Sequence, residues 1–105
     1  MLRAKHSTKE RNAKGKNQIF DINIDFLMGM LERQQGKCCI TGVNLEHTHN
    51  NWKSASIDRI DNKRGYTIDN VRLICYGANI AMARLTEQEF IELCKAVANQ
   101  NSLNT

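Results

Sequence analysis

Apolar residues first recur at helical spacing from Ile22 onward, where Ile24, Leu27, Met28 and Leu31 fall at three- and four-residue steps. Asn23 is a natural N-cap ahead of them and Gly36 a natural stop, so the pattern predicts one amphipathic helix over 23–35, with Met28 and Met30 as core fillers. Lys37 to Leu45 (KCCITGVNL) reads as a short strand, a Thr-Gly turn and a return strand. The polar stretch 46–53 (EHTHNNWK) reads as a loop. Ser54 to Ile60 alternates as a strand does, Asp61 to Gly65 is dense in turn residues, and Asn70 to Cys75 answers as the second strand. Ala78 to Leu85 looks helical, and Thr86-x-x-Glu89 is a capping box opening a last helix striped by Phe90, Leu93, Cys94 and Val97. Residues 1–18 show no periodicity, and 100–105 read as a frayed tail. The expectation is a single α+β domain over 19–99, preceded by an arm over 1–18.

Composition fits that picture. With 41% hydrophobic and 25% charged residues in 105, the chain is globular and has room for one modest core. No apolar run approaches the roughly 18 residues that would span a bilayer, and the basic N-terminus has no apolar segment behind it to act as a secretory signal. The expected location is therefore cytoplasmic, with no membrane partner. The net charge of +4 favours an acidic partner. Arg3, Lys5, Lys9, Arg11, Lys14 and Lys16 crowd the arm against Glu10 alone, which suits either a solvated tail or a phosphate-tracking segment.

Cys38, Cys39, Cys75 and Cys94 do not form the repeated Cys-x-x-Cys of a zinc knuckle. Thr41 stands three residues after Cys38 and Ala78 three after Cys75, so each half keeps one thiol. A mixed site drawn from Cys38, Cys39, Cys75, His47 and His49 is the alternative to a knuckle-shaped turn packed by small residues. The spacing argues against structural zinc, and a reducing compartment argues against disulfides.

The strand–turn–strand–helix order over SIDRIDNKRGYTIDNVRLICYGANIAMARL carries the informative residues. A hairpin followed by a helix can bring Asp58, at the end of the first strand, to Asn79 on the helix, and two oxygen ligands there could hold one divalent cation. This block resembles the HNH endonucleases, the ββα-metal superfamily, and within it the small phage- or prophage-borne members. They share a pattern close to S-[IL]-D-R-I-D-x-x-x-G-Y-x-x-x-N-V-R with an asparagine on the following helix. The likeness covers roughly 24–93 and is sharpest over Ser56–Val71.

The resemblance implies a ββα-metal core between an N-terminal and a C-terminal helix, and cleavage of DNA phosphodiester bonds with Mg²⁺ or Mn²⁺. By position Asp58 matches the first metal ligand, Asn79 the second, and Asn70 the middle asparagine that orients a base; Gly65 and Tyr66 match the turn. Arg59 stands where many HNH proteins carry the base histidine. Arginine keeps its proton near neutrality, so Arg59 suits a phosphate clamp and the base falls to His47, His49 or Asp61, or to metal-polarised water. Met82 stands where many related helices carry a lysine a turn after the asparagine, and Arg84 is the nearest cation. Lys63, Arg64, Arg72 and Arg84 join the arm as candidate DNA contacts.

The residues leave other readings open. Asp58 could be a carboxylate paired with Arg59 or Arg72, Asn70 an Asx-turn cap, and Trp52 a core lid or a stacking platform. The lost histidine also suits a non-catalytic nucleic-acid-binding or regulatory protein on the same frame. Cutting both strands in concert would need a dimer, which nothing in the sequence settles.

Overall fold

The computed structural model describes the backbone of residues 3–4 and residues 21–48 and 50–102 in full. The elements run β1 (Arg3–Ala4), α1 (Ile24–Arg33), β2 (Ala55–Arg59), β3 (Val71–Cys75), α2 (Tyr76–Ala81) and α3 (Glu87–Ser102). This is an α+β fold. β2 and β3 pair antiparallel with Ala55 opposite Cys75, Ile57 opposite Leu73 and Asp58 opposite Arg72. β1 adds to the far side of β2 in parallel, Arg3 opposite Ser56. Two residues are too short to show a strand period, so the sequence predicts only an arm there. Lys5, Lys9, Arg11, Lys14 and Lys16 lie outside the described residues.

α1 forms where its apolar period predicts, but Met28 is 49% exposed and so is not the core filler expected, because the helix turns only Leu27 and Met30 fully into the core. Asn23 Oδ1 accepts from the Phe26 N–H at 2.8 Å, while Leu27 and Met30 are buried. Its end differs in detail from the expected glycine stop. Gln35 takes the left-handed conformation first (φ 58°), followed by Gly36 (φ 71°). The Gly36 N–H closes on Leu31 O at 2.8 Å and the Gln35 N–H on Glu32 O at 2.9 Å, the paired bonds of a Schellman end. Gln34 then does what its sequence position does not advertise. Its Nε2 donates to Leu73 O at 2.9 Å and its Oε1 accepts from Leu73 N at 3.1 Å. One side-chain amide thus replaces a strand neighbour along the open edge of β3.

The sheet is covered on both faces. Ile57 and Leu73 share one face, Ser56 and Ile74 the other, and all four are at most 3% exposed. α2 packs against both strands and α1 against β3. α2 is shorter and earlier than the expected 78–85 helix, because it starts directly at the end of β3 and gives way to turns after Ala81. Gly77 lets this junction close: a Cβ there would stand 3.1 Å from Trp52 Cβ, where the Gly77 N–H donates to Trp52 O at 2.8 Å. Trp52 itself is 55% exposed, with Lys53 Nζ 5.4 Å from its ring centroid, so it rims the core rather than closing it.

The capping box is present as the sequence predicts: the Glu89 N–H donates to Thr86 Oγ1 at 3.1 Å, and Glu89 Oε1 accepts from the Thr86 N–H at 2.9 Å. α3 runs on to Ser102, past residue 99 where the tail was expected, and residues 103–105 lie outside the described ones. No residue of α3 is fully buried, and only Phe90 and Ile91 are half-buried. A helix so thinly attached depends on its cap. Thr86→Ala is expected to cost about 1 kcal/mol of stability, measured as a lowered urea midpoint; an unchanged midpoint would mean α3 contributes nothing to the cooperative unit. Among the described residues, no helix is long and apolar enough to cross a membrane.

Candidate functional site

β2 alternates, so Ser56 and Asp58 share a face with their cross-strand partners Ile74 and Arg72. α2 lies over that face and brings Asn79 down onto it. Asn79 is 2% exposed, and its Nδ2 donates to Ser56 Oγ at 2.6 Å. That bond fixes the amide and leaves Oδ1 as the oxygen without a donor among the described residues. Asp58 offers its Oδ2 to Arg72 Nε at 2.9 Å. Asp58 and Asn79 both line a cavity of about 590 Å³, together with Arg59, Arg72, Arg84, Glu87 and Glu89. An amide oxygen with no donor among the described residues and a carboxylate lining the same cavity are oxygen donors of the kind a hard divalent cation takes, and Mg²⁺ in particular uses few protein ligands. Asp58 and Asn79 are the residues that would hold such a cation here. Among the described residues, no three His, Cys, Asp or Glu side chains are grouped so that together they could hold a metal ion.

Arg72 spans two carboxylates, reaching Asp58 through Nε and Glu87 Oε1 through Nη1, both at 2.9 Å. Burial opposes its charge, but its hydrogen bonds to Asp58 and Glu87 and the negative charge of Asp58 hold the guanidinium above its ordinary pKa. Arg59 follows Asp58 on the strand and turns toward the hairpin. Its guanidinium lies 5.1 Å from the Tyr66 ring centroid, and Nη1 donates to Arg64 O at 3.0 Å. Arg84 lines the cavity from the connection between α2 and α3 and makes no ion pair among the described residues.

Asn70 is not in that cavity. It is 1% exposed and closes the hairpin loop: Oδ1 accepts from the Asp61 N–H at 2.9 Å, and Nδ2 donates to Asp61 O at 3.0 Å and Gly65 O at 2.8 Å. Asp61 is exposed, with Oδ1 bound to the Lys63 N–H at 3.0 Å, an Asx turn. Arg64 pairs with Asp69 at 2.8 Å, both exposed. The Thr67 hydroxyl and the Arg64 guanidinium hold the Asp69 carboxyl below its usual range. Lys63 is exposed on the same loop. His47 is exposed and outside the cavity lining, and His49 lies outside the described residues. Of the candidate bases, neither Asp61 nor His47 lines the cavity with Asp58.

No family model, curated protein or solved structure matches the chain.

The knuckle-shaped turn is also real. The Thr41 N–H donates to Cys38 Sγ at 3.3 Å, and Thr41 Oγ1 lies 3.9 Å from Cys75 Sγ. Burial raises the Cys75 thiol, helped by the neighbouring Cys38. Cys38 is pushed up by burial too, but the Thr41 hydroxyl and surrounding N–H groups outweigh this and lower it. Cys39 is exposed and sits within electrostatic reach of Arg72 rather than joining that pair.

The sequence missed Ser56, Glu87 and Glu89. Ser56 carried a usable signal, a small polar residue two places before Asp58 and so on the same face. Glu87 and Glu89 carried none, because they reach the site only through the packing of α3.

Proposed function

We propose that this chain is a metal-dependent endonuclease of the HNH type, nicking DNA or cutting it with low sequence specificity. The observation that carries the reading is that Asp58 and the buried Asn79, whose Oδ1 has no donor among the described residues, line one cavity alongside three arginines. When bound, a divalent cation there supplies charge stabilisation to the departing oxygen and acidifies the attacking water. Asp58 and Asn79 would hold it, with Ser56 fixing which end of the Asn79 amide faces it. Arg59 and Arg84 would grip phosphate oxygens, a task suited to a planar guanidinium that cannot lose its proton. Lys63, on the hairpin loop, and the basic residues 3–16 would follow the DNA backbone. The surface is small, so base readout is minimal.

Plasmid relaxation in Mg²⁺, Mn²⁺ or chelator tests the reading: supercoiled DNA should be nicked with either metal and left intact in chelator. Failure to nick with either metal would sink it. Replacing Lys5, Lys9, Arg11, Lys14 and Lys16 by alanine should also flatten the salt dependence of DNA binding, by roughly 0.9 in log–log slope for each phosphate no longer neutralised. An unchanged slope in a binding titration would make these residues bystanders.

One observation favours a second reading, a non-catalytic DNA-binding protein on the same frame: Asp58 is already neutralised by Arg72. Metal-independent DNA binding with no nicking would select it.

A further inference from the structure

Arg72 is the best-held charged side chain in the cavity. Its side chain is 23% exposed and that of Asp58 15%, whereas Glu87 is 47% exposed. The two ends of this bridge are positioned by different parts of the fold. Asp58 is fixed by the strand register, directly opposite Arg72. Glu87 is the first residue of α3, whose start is pinned by the capping box one residue earlier. Arg72 thus has two seats, and one of them is a ligand of the metal pair.

We propose that Arg72 is an internal counter-ion that gates cation binding at Asp58. A guanidinium and a divalent cation cannot both take the same carboxylate oxygen without strong repulsion. The cation binds Asp58 and Asn79 only as Arg72 gives up Asp58 Oδ2. Glu87 keeps hold of Nη1, so Arg72 is retained beside the cavity with its Nε edge released. A phosphate oxygen is the complementary partner for that edge. DNA and cation therefore bind cooperatively: the phosphate draws Arg72 away from Asp58, and the cation releases Arg72 to the phosphate. The inference rests on the proposed metal pair and names the residue that regulates it.

The test is Mn²⁺ binding to the full chain without DNA, followed by the electron paramagnetic resonance of free Mn²⁺, with circular dichroism confirming the fold of each variant. Arg72→Gln should bind Mn²⁺ about tenfold more tightly than wild type, a coupling of ordinary size for two linked sites. Arg72→Lys keeps the charge but lacks the fork that spans both carboxylates, so it should fall between the two. Glu87→Gln removes the second seat and should weaken Mn²⁺ binding several-fold more in the wild-type background than beside Arg72→Gln. Equal or weaker binding by Arg72→Gln would overturn the gate, as would an effect of Glu87→Gln that is the same in both backgrounds. Should Arg72→Gln fail to fold, Arg72→Lys and Glu87→Gln still decide: tighter binding by the first and weaker by the second support the gate, and no change in either overturns it. Adding Asp58→Ala to Arg72→Gln separates the two levels. Loss of Mn²⁺ binding there supports both, while undiminished binding means the cation does not sit on Asp58 and removes the metal pair together with the gate.

Discussion

Asp58→Ala is expected to lower metal-dependent nicking at least about 100-fold, the scale seen when one group that orients or stabilises a reacting centre is removed. The fold should survive, because Asp58 is only half-buried and its partner Arg72 keeps Glu87. Asn79→Ala should lose activity to a similar degree, and it should also cost stability. Asn79 is 2% exposed, and its removal leaves the fully buried Ser56 hydroxyl without its amide partner. Asn79→Asp is the informative companion. It keeps an oxygen for the cation, and the Ser56 hydroxyl can turn to donate, so it should retain more activity than Asn79→Ala at saturating Mn²⁺. The measurement is initial nicking rate on supercoiled plasmid, read beside a urea melt of each variant. Wild-type rates in both Asp58→Ala and Asn79→Ala would rule out the metal pair.

Asn70→Ala should act on the fold instead. All three of its side-chain hydrogen bonds go to the backbone of the hairpin loop, and the side chain is 1% exposed. Truncation leaves the Asp61 N–H and the Asp61 and Gly65 carbonyls to find new partners, at about 1–3 kcal/mol for each group that fails. A loss of about 3 kcal/mol is expected, lowering Tm by more than about 10 °C in a domain of this size. Asp61→Ala, at an exposed turn, should cost under about 1 kcal/mol. If Asn70 acted mainly by orienting a catalytic base, the opposite split would be seen: an unchanged melt with a large loss of rate. The resemblance to the HNH pattern assigns Asn70 the orienting role, while its bonds to the loop support the staple.

The contrast between Asn70 and Asn79 shows how far the sequence reaches. Both asparagines were legible as special, one beginning a strand and one on an apolar helix, yet the motif alone treats them as a pair at one centre. The hairpin bond pattern commits Asn70 to the 61–65 loop, and the packing of α2 on β2 sets Asn79 on Ser56, lining the same cavity as Asp58. In the same way the Asp58–Arg72 pair was one reading the residues left open, but Glu87 as the second partner was out of reach. It lies 15 residues further on, across a helix and a turn.

What the sequence determined by itself is local. The start of α1, the extended character of each strand and the turn residues between them, the capping box of α3 and the single-thiol halves of the knuckle are all set by residues within a few positions of each other, through propensity, period and short-range hydrogen bonds. What only the tertiary structure decided is which distant groups meet: Gln34 along the edge of β3, Cys38 with Cys75, Ser56 with Asn79, and Arg72 between Asp58 and Glu87. Those meetings depend on the strand register and on where helices land on the sheet. A one-residue change of register would turn Asp58 and Arg72 to the other face while leaving every local signal unchanged.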